Sequence, residues 1–328
     1  MNVQILKAPE ALERYDLWIK QHPYGNLWQS LERKKYLEAL GKEVRIYASE
    51  DGGQIRASAL VMIDRTTGGF STWDIPRGPI WEVGRGALGV EELLHTIISD
   101  ANNDKCLALY LSPISNLPPT PNPLHPSPRH IHCEATRIID LKKSEEDILS
   151  QMKQKGRYNI KVSQKHGVTV KESDDIDAFY DLVSKTGKRD GFTHLSKNKY
   201  QAFLESLPGA FLLLAYDKQT EPIAGVLSVV WNQKGVYYYG ASNHAERAKM
   251  APYLLQLESM RFCKAKGCTE YDLLGISPEN ADPDHPWAGI SSFKEKFGGE
   301  VVEYPQEQMM ILKPMVYRLL AIKRALLG

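Results

Sequence analysis

Cysteine is scarce in this 328-residue chain: Cys106, Cys133, Cys263 and Cys268 form no Cys-x-x-Cys pair and have no metal-site spacing. That leaves no disulfide framework to read and fits a reducing cytoplasm. An excess of one charge is missing too, since 41 Lys and Arg against 40 Asp and Glu leave a net charge of +1. No whole-molecule field draws such a chain to nucleic acid or membrane, so any basic surface must be local. No apolar run approaches the length of a membrane span. The opening MNVQILKAPEALERYD lacks the apolar core of a signal peptide. There is no Gly-x-Ser-x-Gly, His-Glu-x-x-His, phosphate-loop or Gly-x-Gly-x-x-Gly motif, so nucleophilic, metal and dinucleotide chemistry have no signature. His130 and His132 lie on an irregular stretch and read as surface residues rather than ligands.

What is present is ordinary in amount, with 42% hydrophobic and 25% charged residues, and the length suits two domains. The order of elements is the informative part. Strands read at residues 44–49, 55–64 and 70–75 lead to a helix at 90–101 and a buried-type strand at 106–112. The order recurs as strands at 210–217, 223–231 and 236–242, a helix at 252–267 and a strand at 270–276. Matching elements lie about 165 residues apart with negligible identity, which suggests two copies of one α/β domain. The proline-rich segment Leu117 to His130 cannot be helical and reads as a surface loop leading to the domain boundary. After it, a strand at 135–141 precedes a helix opened by Ser144, which has capping-box spacing to Asp147.

Several short constellations could carry chemistry. FKEKFGGE, Phe293 to Glu300, sets Lys294 and Lys296 beside a diglycine, which suits an anionic or oxyanionic ligand. Lys153, Lys155, Arg157, Lys161 and Lys165 would form a cationic helix face, either solvated or touching phosphate. Arg189 precedes Asp190 and Gly191 and can grip carboxylate or phosphate, while Gly191 can equally be a helix C-cap. Asp74, Arg77 and Gly78 sit in a Pro-bounded loop, either a ligand wall or a structural turn. Strand VYYYGAS places Tyr237, Tyr238 and Tyr239 on alternate faces, so at least one hydroxyl can meet a cleft. Pro252 suits the first turn of a helix whose N-terminus would favour a phosphate or carbonyl, without glycines for a pyrophosphate cradle. Residues 314–328 form an amphipathic helix that docks on the core or lies on a membrane surface.

RYNIKVSQKHGVTV, TGKRDGF, IAGVL, YYYGAS, APYLLQLESMRFCKAKGC, YDLLGI and GISSFKEKFGGE occur in that order. With WQSLERKKYLEALG and PRGPIW in the first half, they resemble the Fem family of peptidoglycan bridge-forming aminoacyltransferases over nearly the whole chain. The resemblance implies an α/β (α+β) fold of two tandem GCN5-type acetyltransferase-like domains without a coiled-coil arm. The first would span 1–140 plus about 305–328, and the second 141–304. It implies transfer of an aminoacyl group from aminoacyl-tRNA to an amine of a UDP-linked or lipid-linked muropeptide, in the cytoplasm, by a monomer with possible peripheral membrane contact. Neither metal nor cofactor is needed beyond the charged tRNA. By the same resemblance, Lys294 with Phe293 beside it stabilises the reaction's oxyanion, Arg189 contacts precursor phosphate, and Tyr238 or Tyr239 contacts substrate. Asp74 sits near the family's acidic position, and Arg77 joins it as a binding residue. Lys34 and Lys35 are displaced from the family's register around Arg33 and Leu37, yet can serve the precursor's diphosphate. The alternatives are an acyl-CoA N-acyltransferase of the same fold, a tRNA-dependent ligase of another acceptor, and a non-catalytic binding module.

Overall fold

The computed structural model describes residues 1–328 apart from 83–88, 130, 192, 283, 286 and 328, and apart from the side chains of 66, 67, 189, 190, 321 and 323–327. Two compact units result, Met1–His132 with Tyr304–Gly328, and Cys133–Glu303. The strand Ala135–Asp140 pairs in the second unit's sheet, whereas the expected boundary at 140 left it with the first.

In the first unit the sheet order is Asn2–Ile5, Glu43–Asp51, Gln54–Thr67, Phe70–Pro76, Cys106–Ser112, Gln308–Ile311 and His125–Pro126, with Ile80–Trp81 pairing to the third strand. Neighbours run antiparallel except Phe70–Pro76 and Cys106–Ser112, which are parallel and joined through the helix Val90–Asn103. That helix buries Val90, Leu93, Leu94, Ile97, Ile98 and Ala101, the spacing of one apolar helical stripe. Cys106–Ser112 is buried at all seven positions, as a strand covered on both faces must be.

The second unit repeats the plan, with sheet order Glu300–Glu303, Ala135–Asp140, Glu270–Asp272, Lys234–Ser242, Pro222–Trp231, Ala210–Tyr216 and Thr169–Ser173. Its parallel pair, Lys234–Ser242 and Glu270–Asp272, is joined through the helix Ala251–Ala265. The helices Gln154–Lys165 and Ala251–Ala265 pack together, while Ile176–Asp190 and Lys197–Ser206 pack with each other and on the sheet. Ser144 caps its helix by accepting from the Asp147 amide at 3.0 Å, and Pro252 stands in the first turn of Ala251–Ala265. Gln308–Ile311, late in the chain, pairs with Cys106–Ser112 of the first sheet.

Candidate active site

The two parallel pairs differ in one respect that makes a site. In the first unit the ladder runs from Ser71/Cys106 to Pro76/Ser112. In the second it holds only at Lys234/Glu270, Gly235/Tyr271 and Val236/Asp272. Past Asp272 the backbone stays with the strand Ala135–Asp140, through Leu273 N to Arg137 O at 2.9 Å and Ile276 N to Ala135 O at 3.0 Å. The parallel strands part there, and freed carbonyls need donors. Lys294, at the end of the helix Ala288–Lys294, supplies them: its Nζ donates to Gly275 O at 2.7 Å and to Leu274 O at 3.2 Å.

The turn that aims those carbonyls is held at several points. Leu274 takes φ 53, unusual for a branched residue. Its amide donates to Asp272 Oδ1 at 2.7 Å, and Thr136 Oγ1 donates to the same oxygen. Gly275 is covered by Trp287, and a Cβ there would stand 1.0 Å from Cζ3 of the indole. Lys294 is 6% exposed. Burial pulls its pKa down to about 8, against the opposing pull of Cys133 and Asp272. An ammonium has three donors. Two are taken by carbonyls, and the ring of Tyr237 lies 5.5 Å from Nζ.

Tyr237 and Phe293 also line a cavity of about 1150 Å³. Its walls come from the end of the strand Lys234–Ser242, the 3-10 turn His244–Lys249, the start of the helix Ala251–Ala265, and Gly289 and Ile290. That exceeds the roughly 300–1,000 Å³ of common small-molecule pockets. Phe293 packs edge-on to Tyr253 at 5.2 Å and to Phe297 at 5.1 Å. Burial raises the Tyr237 hydroxyl to about 12.

The tyrosines do not alternate as expected. The register passes from Leu227/Tyr239 to Ser228/Tyr237, so Tyr238 is the extra residue of a β-bulge. Tyr238 and Tyr239 both meet Phe203, at 4.9 and 5.5 Å, and Tyr239 meets Tyr200 at 5.1 Å. The cavity-lining tyrosine is therefore Tyr237, and neither Tyr238 nor Tyr239 is among the lining residues.

The first unit holds a different cluster. Asp74 Oδ2 accepts from Arg129 Nη2 at 2.9 Å. Arg129 also donates through Nε to Glu307 Oε1 at 2.8 Å and through Nη2 to Oε2 at 3.0 Å. Ser127 and Ser112 donate to the same carboxylate at 2.6 and 2.8 Å, and Arg129 lies 3.4 Å over the Tyr110 ring. Burial pushes Asp74 up to about 6, with Arg129 opposing and Glu307 adding to the rise. Glu307 is buried as well, yet Arg129 and Ser127 hold it below the usual range. His132, expected at the surface, is largely enclosed, and burial together with Arg77 keeps it neutral. Its Nε2 and Asp74 Oδ1 face each other at 3.9 Å, and neither has a hydrogen-bond partner. Asp74, His132 and Glu307 offer ligand atoms within 4.8 Å of one another. Arg129 already bonds both carboxylates there and supplies the positive charge that a metal would.

Arg77 is 4% exposed, with its guanidinium 3.9 Å from the Tyr304 ring, so it is packed inside rather than offered to a ligand as expected. Lys34 pairs with Glu38 at 2.5 Å, and Lys35 is exposed on the same helix, Leu31–Ala39. Arg189 lies in the last turn of the helix Ile176–Asp190, where Gly191 caps at φ 70, and its side chain lies outside the described residues, as does His130. Arg129, Glu307 and Asp272 were not singled out from sequence, and Tyr237 was named on its strand beside Tyr238 and Tyr239 without being preferred. Arg129 and Glu307 lie 178 positions apart, and no local pattern links them.

Two tandem units, each with a parallel pair crossed by a helix, define a tandem acetyltransferase-type fold. The tandem GNAT protein from the clavulanic acid biosynthesis pathway shares it at a TM-score of 0.57 and 12% identity, over 95% of this chain and 99% of that one. The crystal structure of FemX matches at a TM-score of 0.80 and 19% identity, over 97% and 99%. The lipid II:glycine glycyltransferase of Staphylococcus haemolyticus (strain JCSC1435) is 21% identical, over 94% of this chain and 93% of that protein. Its counterpart in Staphylococcus aureus is 20% identical over the same shares. The FemAB family model matches residues 11–118, 128–217 and 210–324. The chain belongs to the FemAB family, and it is a tRNA-dependent aminoacyltransferase that adds amino acids to a peptidoglycan precursor.

Proposed function

We propose that the acceptor is an amine on the stem peptide of a lipid-linked precursor, and that the aminoacyl end of the tRNA enters the cavity of the second unit. The observation that carries the donor assignment is Lys294, a buried ammonium next to two cavity-wall rings, with one donor beyond its two carbonyl partners. The acceptor amine attacks the ester carbonyl of the donor, and negative charge gathers on the carbonyl oxygen. A fixed cation in a site of low polarity stabilises that charge far better than water does. The ester C–O bond then breaks, the amide forms, and the proton lost by the amine passes to the released ribose hydroxyl. Phe293 keeps water from the carbonyl's side of the cavity.

Arg189 and Lys35 are offered as phosphate contacts, and Lys34 joins them once it leaves Glu38. The lipid-linked acceptor is supported by relatives named for lipid II. A charged tRNA as donor places the reaction in the cytoplasm. An acyl-CoA donor is the competing chemistry. It fits the same fold, yet His244–Pro252 contains no glycine for close approach to a pyrophosphate.

The test is a transfer assay that crosses a panel of charged tRNAs with UDP-linked and lipid-linked acceptors. Lys294→Met should slow transfer about 100-fold or more, the size of losing one oxyanion donor, with acceptor KM little changed. Unchanged kinetics in that variant would remove the lysine from the reaction. Acetyl-CoA binding by calorimetry would favour the competing donor.

A further inference from the structure

The second unit carries a cationic surface that the transfer chemistry leaves unused. The helix Gln154–Lys165 buries Gly156, Asn159, Ile160 and Ser163. On its opposite face Lys155, Tyr158, Lys161 and Lys165 are exposed, and Tyr158 is 60% exposed. Their spacing, i, i+3, i+6 and i+10, keeps them on one side along about 15 Å of helix.

Some lysines elsewhere in the chain pair with carboxylates: Lys20 with Asp16, Lys42 with Asp64, Lys197 with Asp177, Lys249 with Asp217 and Glu246. Within this segment Lys153 pairs with Glu295 at 2.8 Å. Among the described residues no ion pair or hydrogen bond joins the side chains of Lys155, Lys161 or Lys165. A solvated charged face does not need a large aromatic ring at its centre. A nucleic-acid face uses one, because lysines meet phosphate while a ring covers sugar or base.

The helix is also fixed to the catalytic segment. The Lys153 amide donates to Lys296 O at 3.1 Å, and a Cβ on Gly156 would stand 2.4 Å from that oxygen. Its other neighbour is the helix Ala251–Ala265, whose first turn walls the cavity. A polynucleotide whose end lies in the cavity can run along this layer.

We propose that Lys155, Lys161 and Lys165, around Tyr158, form the docking surface for the RNA backbone of the donor tRNA next to its acceptor end. This rests on the reading that the second-unit cavity takes the aminoacyl end. The ligand chemistry is a chain of phosphodiesters, recognised by charge, shape and stacking without hydrogen bonds to base edges.

The test compares two donors in the full chain: a whole charged tRNA, and a short donor carrying the amino acid on the terminal nucleotides alone. In K155Q/K161Q/K165Q the KM for whole tRNA should rise about tenfold or more at physiological salt. The slope of log KM against log salt should fall by about 2 to 3, since each lost phosphate contact removes roughly 0.7–0.9. Kcat, and KM for the short donor, should stay at the wild-type values. Y158S should raise KM for whole tRNA without changing the slope. Lys234→Gln, a paired lysine on the same unit, is the control and should change nothing. An unchanged KM and slope in the triple variant would overturn the proposal. So would a variant that loses only its binding to anionic phospholipid vesicles, which would make the face a membrane surface. If the wild-type protein uses neither donor, the donor reading itself fails, and that result is distinct from either outcome.

Discussion

Lys294 is held between two demands. Its ammonium is buried, which favours the neutral amine, and it is bonded to two carbonyls with Asp272 and Cys133 nearby, which favour the cation. A pKa lowered to about 8 puts its loss of charge inside the working range. A cationic role therefore predicts a rate that falls as pH rises through about 8. The rising limb at lower pH belongs to the acceptor amine, which must be neutral to attack. Asp272→Asn keeps an oxygen that accepts from the Leu274 amide but removes the charge that supports the ammonium. The falling limb should then move to lower pH, with kcat below it close to wild type. A pH profile of kcat/KM checks this, and a falling limb that stays in place would separate Asp272 from the titration. The same residue scale explains Asp74. Burial and Glu307 raise its pKa to about 6 although Arg129 bonds it. Its charging costs stability as pH rises from the ordinary carboxylate range through that value.

At the scale of elements, the site depends on where strands stop pairing. The second parallel pair ends after Val236/Asp272, and Lys294 fills the gap that follows. Gly275 must remain without a side chain, because Trp287 occupies the position of its Cβ. Gly275→Ala should push the indole or the turn aside and move the two carbonyls away from Nζ. A shift of about 1 Å at a catalytic group can cost up to 100-fold. We expect kcat to fall at least tenfold with KM for both substrates nearly unchanged, measured by steady-state kinetics beside a thermal melt. The bulge at Tyr238 is the second element-level device. One extra residue turns Tyr238 and Tyr239 together toward Phe203 and leaves Tyr237 for the cavity.

At the scale of the whole molecule, the chain crosses between its units twice. Ala135–Asp140, following the first unit, joins the second sheet, and Gln308–Ile311, following the second, joins the first. The returning segment is tied in by Glu307, which is 3% exposed and bonded to Arg129, Ser127 and Ser112. Arg129→Met would leave the Asp74 and Glu307 carboxylates enclosed without their cation. Removing one partner of such a buried group costs about 3–5 kcal/mol. Denaturant titration should show the first unit losing about that much stability while the second unit's transition stays in place. Equal loss in both units would show that they unfold together.

The amino-acid sequence by itself determined the elements and their doubled order, because periods of 2 and 3.6 are local properties that survive without knowledge of neighbours. The stripe from Val90 to Ala101 and the buried run Cys106–Ser112 are examples. It also pointed to Lys294, through collinear motifs ending in FKEKFGGE. Tertiary structure decided the rest. It selected Tyr237 over Tyr238 and Tyr239, since a single bulged residue changes which side chains share a face. It buried Arg77 and His132, which sit in segments that read as loops. It paired Arg129 with Glu307 across 178 positions, a contact set by the return of the chain and by no pattern along it. And it opened only the second of two matching parallel pairs, where the strand Ala135–Asp140 draws residues 273–276 away from their partner and leaves Lys294 to satisfy the freed carbonyls.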